Sequence, residues 1–189
     1  MNEILKQIYK SSPYAKGIKN TTEFDELKVG SPVYGEVTQI GTEAILHKFS
    51  EHFNKDATFY DFGSGLGKMV AHVGLVTGAK SIGIEYSNER HSGATMIKEN
   101  HIPDCDNVSF KNGNVLDFDL SDATVIYMDN TVFPDNISLE IYNKLSVGCL
   151  MLYKRKIKGL GEEQNYQNDL VDRTYHQRGL YWTTKSSNL

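Results

Sequence analysis

Between residues 57 and 154 the chain alternates short apolar runs with segments of helical period. Few folds accommodate that rhythm. ATFYDF (57–62), KSIGIE (80–85), VSFKN (107–111), ATVIYMD (123–129) and GCLMLYK (148–154) read as strands. Between them, the spacing predicts helices over 67–77, closed by Gly78, over 87–100, opened by Ser87, and over 134–145. Strands joined through helices of this length imply βαβ units, hence a mostly parallel sheet with helices on both faces. A short amphipathic helix at about 2–10 precedes this region, followed by loop signals (SSP at 11–13, Gly17, Gly30, SP at 31–32). A segment at 38–53 places Ile40, Ala44, Ile45, Phe49 and Phe53 on one helical face. After the fifth strand come a polar stretch at 159–170 and strand-like pieces near 171–176 and 179–184. A chain of 189 residues holds one full core rather than two. One globular domain is therefore expected, with an N-terminal helix and loop (1–36) attached to an α/β body (37–189).

In open sheets of this kind, ligands sit beyond the carboxyl ends of the strands, near the point where strand order reverses. The first such end carries FYDFGSGLGK (59–68), with Gly63, Gly65 and Gly67 in a GxGxG pattern. A nucleotide-phosphate loop would need glycine at 62 and serine or threonine at 69, where this chain has Phe62 and Met69. A dinucleotide fingerprint would need glycine at 68, where Lys68 stands. GxGxG is instead common in proteins that bind S-adenosylmethionine (SAM). Glycines let the backbone turn tightly and approach the ligand, and the helix behind them offers free amides to a carboxylate. The neighbours favour SAM over a dinucleotide. Asp61 can meet an ammonium-bearing ligand, and Glu85, ending the second strand, can accept both hydroxyls of a ribose. Asn114 and Val115 follow the third strand, where an adenine edge and face would lie.

Other chemistries find little support. Net charge is −4, which argues against strong charge-driven nucleic-acid binding. KRKIK (154–158) reads as a solvated strand end or as a contact for an acidic partner. Cys105 and Cys149 lie far apart, and the six histidines show no metal-ligand spacing, so no metal site is expected. No secretory leader and no apolar run of membrane-spanning length is visible, which points to an intracellular setting, cytoplasmic or nuclear.

One upstream element narrows the reading. VYGEVT (33–38), followed by DFGSGLG (61–67), GIE (83–85) and IYMDNTVF (126–133), resembles the Disruptor-of-telomeric-silencing (Dot-one) family of histone lysine methyltransferases. The likeness covers roughly residues 33–155 and returns in LYWTT (180–184). It implies a three-layer, Rossmann-like class I methyltransferase fold, with an antiparallel C-terminal edge whose final strand is expected to be short or missing. It also implies that Tyr34, Gly35, Glu36 and Thr38 fold over the cofactor, with Glu36 near the methionine amino group. Asp61, Gly63, Ser64, Gly65, Gly67 and Lys68 would cradle the methionine end, while Glu85, Asn114 and Val115 would take the nucleoside. Asn130 would stand beside the transferred methyl, with Tyr34, Asp129 and Phe133 walling the acceptor channel. The chain departs from the family at Lys68, Asn114, Asp129 and Thr131, and shows no long basic extension for holding nucleosomes.

The resemblance implies methyl transfer from SAM, leaving S-adenosylhomocysteine, to a lysine of a protein, a histone among the candidates. Asn130 offers a neutral carbonyl oxygen to orient the target amine, so it is the expected catalytic residue. Strand alternation turns Asp129 and Asn130 to opposite sides, so one of them faces a helix or solvent. Two other readings stay open: a methyltransferase for a non-histone protein, nucleic acid or small molecule, and a degenerate SAM-binding interaction module.

Overall fold

The computed structural model describes residues 2–11, 35–131, 133–161, 163–171 and 179–187. Among these residues, seven strands form one sheet: β1 (Thr58–Phe62), β2 (Lys80–Glu85), β3 (Val108–Asn112), β4 (Val125–Met128), β5 (Leu150–Tyr153), β6 (Asn165–Gln167) and β7 (Leu180–Thr184). Their order is β3-β2-β1-β4-β5-β7-β6. The first five run parallel, and β7 lies antiparallel between β5 and β6. The last strand is present at five residues, and Tyr181 to Thr184 pair with β5 from Tyr153 back to Leu150. The strand-like piece near 171–176 lies outside the described residues beyond Val171.

Among the described residues, five helices complete the body: α1 (Asn2–Lys10), α2 (Gln39–Lys48), α3 (Lys68–Thr77), α4 (Asn88–His101) and α5 (Asp135–Lys144). Their ends follow local chemistry. The Thr38 side chain accepts the Gly41 amide, the Ser87 side chain accepts that of Arg90, and Gly78 closes α3 at φ +72.

Strand parity divides the core in two. Tyr60, Phe62, Ile126, Met128, Met151 and Tyr153 face one side of the sheet, against Ile141 and Tyr142 of α5. Phe59, Val125, Tyr127, Leu150 and Leu152 face the other, against Ile45 of α2 and Met69 and Val73 of α3. On α2 the inward face is Thr42 and Ile45, continued by Phe49 and Phe53, whereas Ile40 points outward at 68% exposure. Ile40 thus leaves the face that helical spacing assigns to it.

α3 is buried on nearly all sides, from Lys68 to Gly74, because α1 and α2 both pack on it as it packs on the sheet. Leu5 and Ile8 anchor α1. The Tyr9 hydroxyl bonds both Thr42 Oγ1 (2.8 Å) and His72 Nδ1 (3.1 Å). Burial pushes the His72 imidazole down to about 4, so it is neutral at physiological pH. No helix among the described residues is long and apolar enough to cross a membrane.

Candidate functional site

Strand order reverses between β1 and β4, and the carboxyl ends of these two strands open a cleft. Residues of four segments line it: Gly35, Glu36 and Val37 upstream; Asp61 of β1 with Gly63 and Ser64 just after it; Lys68 and Met69 in the first turn of α3; Tyr127 and Asp129 at the end of β4.

The glycine loop takes its shape from three left-handed residues, with φ of +74 at Gly63, +56 at Gly65 and +71 at Gly67. Space matters as much as φ. A Cβ at Gly67 would lie 2.2 Å from the Phe110 ring, so nothing larger than glycine lets α3 start this close to β3. At Gly63 the nearest group is the Phe133 ring, 3.8 Å from a Cβ built there, which puts that aromatic over the loop.

Asp61 is 6% exposed and shares strand parity with Phe59, so it faces the α2–α3 side. Lys68 is 5% exposed, and its ammonium donates to Glu36 Oε2 (2.8 Å) and to the Tyr9 carbonyl (3.2 Å). Glu36 is therefore paired with Lys68, a contact between residues 32 apart in the chain for which the sequence carries no local signal. Thr38 spends its hydroxyl capping α2 and does not line the cleft. Tyr34 lies outside the described residues.

Glu85 sits behind the loop at 3% exposure. Its Oε2 accepts the Gly65 amide (2.8 Å) and its Oε1 the Ser87 amide (2.9 Å). A carboxylate offers about four lone-pair sites, so about two remain for a diol. Asn114 Oδ1 accepts the Leu116 amide (3.0 Å), and Val115 is buried beside it. Neither of these residues nor Glu85 lines the cleft described above.

At the end of β4 the two candidate residues part company. Asp129, sharing parity with Tyr127, lines the cleft; Asn130 does not. Asn130 is fully buried, and its amide is spent on the end of β5: Oδ1 accepts the amides of Lys154 (3.0 Å) and Arg155 (2.7 Å), and Nδ2 donates to the Arg155 carbonyl (2.6 Å). An oxygen already holding two backbone amides has no lone pair left to orient a target amine. Asp129 Oδ1 instead accepts from the Thr131 hydroxyl (2.7 Å) and amide (3.3 Å). Replacing Asn130 by alanine leaves two amides unpaired and is expected to cost about 2–4 kcal/mol of stability. Urea denaturation measures it, and an unchanged midpoint would refute the clamp.

KRKIK serves the same corner. Lys154 is 4% exposed and its ammonium donates to the Gly179 carbonyl, while Arg155 pairs with Asp135 (2.7 Å) and donates to the Phe133 carbonyl (3.0 Å). The pair with Arg155 holds the Asp135 carboxyl below its usual range. Arg155 thus braces the β4–α5 turn and Lys154 the entry to β7, leaving Lys156 and Lys158 exposed.

The donor set suits the amino-acid end of S-adenosylmethionine. Glu36, Asp61 and Asp129 face one lysine, giving the cleft a surplus of negative charge. A zwitterionic methionine portion carrying a sulfonium has the complementary surplus of positive charge. Ser64 Oγ, buried and without a hydrogen-bond partner, supplies a further polar atom at the loop.

Solved structures resemble the chain in fold. An RNA methyltransferase from Salinibacter ruber, in complex with S-adenosyl-L-homocysteine, matches with TM-score 0.67 at 18% identity, over 82% of this chain and 95% of that one. Precorrin-6y C5,15-methyltransferase from Geobacter metallireducens matches with TM-score 0.62 at 12% identity, over 86% of this chain and 96% of that one. The architecture is thus that of Rossmann-like class I methyltransferases. No curated protein matches by sequence. The model of the family described as Histone methylation protein DOT1 matches residues 14–178.

Proposed function

Because the chain belongs to the histone methylation protein DOT1 family, we propose that it methylates the side-chain amine of a protein lysine, a histone among the candidates. Family and fold together make it a SAM-dependent methyltransferase, with S-adenosylmethionine as cofactor. The observation that carries the amine reading is Asp129, a carboxylate in the same cleft as the glycine loop and fixed by Thr131.

The cofactor supplies an electrophilic methyl group on a sulfonium. The protein must deliver a neutral amine to it. At an ordinary lysine pKa of about 10.4, having the amine neutral at pH 7 costs roughly 4.6 kcal/mol. Tyr127, Val37 and the Phe133 ring over Gly63 supply apolar walls that disfavour the ammonium, and the sulfonium of a bound cofactor pushes the same way against the pull of the cleft's carboxylates, so that the proton is given up to water before the amine attacks. Asp129 is too weak a base to remove that proton unaided. Its contribution comes later: as the nitrogen bonds to carbon it becomes cationic, and an adjacent fixed carboxylate stabilises the developing charge. Asn130 acts at one remove, holding the turn that carries Asp129 against the end of β5.

Net charge of −4 and the internal use of Lys154 and Arg155 weigh against nucleic acid as the acceptor. The test is methyl transfer from labelled SAM to core histones and nucleosomes in one pool and to a cell extract in another. Label on a histone lysine supports the proposal in full. Label on another protein of the extract keeps the lysine reading and removes the histone, and label confined to RNA or small molecules overturns both.

A further inference from the structure

Asn130 and Phe133 lie between β4 and α5, outside any ladder or helix. A carbonyl in such a stretch needs a donor from elsewhere. One side chain supplies both. Arg155 Nη2 donates to the Phe133 carbonyl (3.0 Å), its Nε to the Asn130 carbonyl (3.4 Å), and its Nη1 to Asp135 Oδ1 (2.7 Å) at the start of α5. The Phe133 ring leans on the core of the α5 side and reaches Gly63, a residue of the cleft lining.

A guanidinium suits this task and an ammonium does not. Its five N–H bonds lie in one plane with fixed directions, so three acceptors gripped at once take fixed positions relative to one another. The backbone of Arg155 is itself anchored to the same turn. Its amide donates to Asn130 Oδ1 (2.7 Å), and its carbonyl accepts from Asn130 Nδ2 (2.6 Å). Arg155 does not line the cleft, so any influence on the reaction must pass through the residues it holds.

We propose that Arg155 is a positioning residue of the acceptor half of the site, acting through Phe133, whose ring it sets against Gly63. The inference rests on the reading that this cleft methylates an amine. It separates two halves of the site: the glycine loop and Glu85 keep their own ties, whereas the wall beside the acceptor takes its place from the Arg155 fork. Misplacing a reactant by about 1 Å costs on the order of 100-fold in rate, so a small shift of that ring is enough.

Arg155→Lys tests it, because lysine keeps the charge and a partner for Asp135 but gives up the fork. The probe is label transfer from SAM to core histones, or to cell extract should histones take none. At limiting acceptor the rate is expected to fall about 10- to 100-fold, while calorimetric affinity for S-adenosylhomocysteine stays within about 2-fold. Rate and affinity falling together would overturn the proposal and leave Arg155 a residue of the fold alone. A double-mutant cycle checks the route. Phe133→Ala is expected to lower transfer by a similar factor, and adding Arg155→Lys to it to cost less than about 3-fold more, whereas full additivity overturns the route through Phe133. Should Arg155→Lys fail to fold, Phe133→Ala decides alone: unchanged transfer overturns the proposal. Wild-type protein that binds S-adenosylhomocysteine but labels neither pool overturns the amine reading, and the proposal with it.

Discussion

Glu85→Ala is expected to lose cofactor affinity by about 100-fold or more, as two charge-assisted hydrogen bonds to a ribose diol together contribute roughly 3–6 kcal/mol. The carboxylate has a second task that enlarges the effect. It ties the Gly65 amide to the end of β2 and the Ser87 amide to the start of α4, so the glycine loop and the adjoining helix take their relative position from one side chain. Without it, both amides must find water, and the loop loses the anchor that holds its left-handed turns in place. Glu85→Gln separates the two tasks. It keeps the volume and one acceptor oxygen but presents an NH2 group where the second amide was accepted, so the loop tie is half lost. Calorimetry with S-adenosylhomocysteine, paired with thermal denaturation, reads both. Unchanged affinity in a folded Glu85→Ala protein would remove Glu85 from the cofactor site and leave it only the structural tie.

The rhythm of the sheet is legible in the sequence because parallel strands covered on both faces read as continuous apolar runs, and VIYM and LMLY are buried throughout. The edge is not. β6, NYQ, is exposed at all three positions and exists through its pairing with β7 rather than through any apolar pattern. Ile40 shows the converse: helical spacing counts it as apolar face, yet α2 packs on its neighbours with Thr42 and Ile45 inward and Ile40 out. The position of Glu85 at a strand end can be read directly, but its bond to Gly65 requires knowing how the loop folds back over β2. The pairing of Lys68 with Glu36 and Tyr9 joins three segments distant in the chain, so no window of residues contains it. Asn130 is the instructive case. Alternation correctly sets Asp129 and Asn130 on opposite sides. Which side is the cleft depends on α2 and α3 packing against the face of Phe59 and Tyr127, a tertiary fact. A buried asparagine at a strand end is chemically suited both to orienting a substrate and to clamping a neighbouring strand, and here backbone amides claim it.

That distinction sets up the other large effect. Asp129→Ala is expected to lower turnover by about 100- to 1,000-fold with little change in affinity for S-adenosylhomocysteine, since removing one preorganised group that stabilises transition-state charge has effects of that size. The expected loss lies in kcat because the positive charge on nitrogen is absent in the neutral amine and appears only as the methyl moves. Asp129→Asn should fall between the two. It can still accept a hydrogen bond from the amine and from Thr131, but it brings a dipole where a full charge stood. Asn130→Ala differs in kind. Its loss should appear as reduced stability, and the activity remaining per folded molecule should stay well above that of Asp129→Ala, because the clamp acts on the turn rather than on the reacting atoms. Measured with the acceptor identified by the labelling experiment, the opposite order sinks the assignment. Full activity in Asp129→Ala, alongside a folded but inactive Asn130→Ala, would return the acceptor role to Asn130. It would also require the amide of Asn130 to release Lys154 and Arg155 when the acceptor enters.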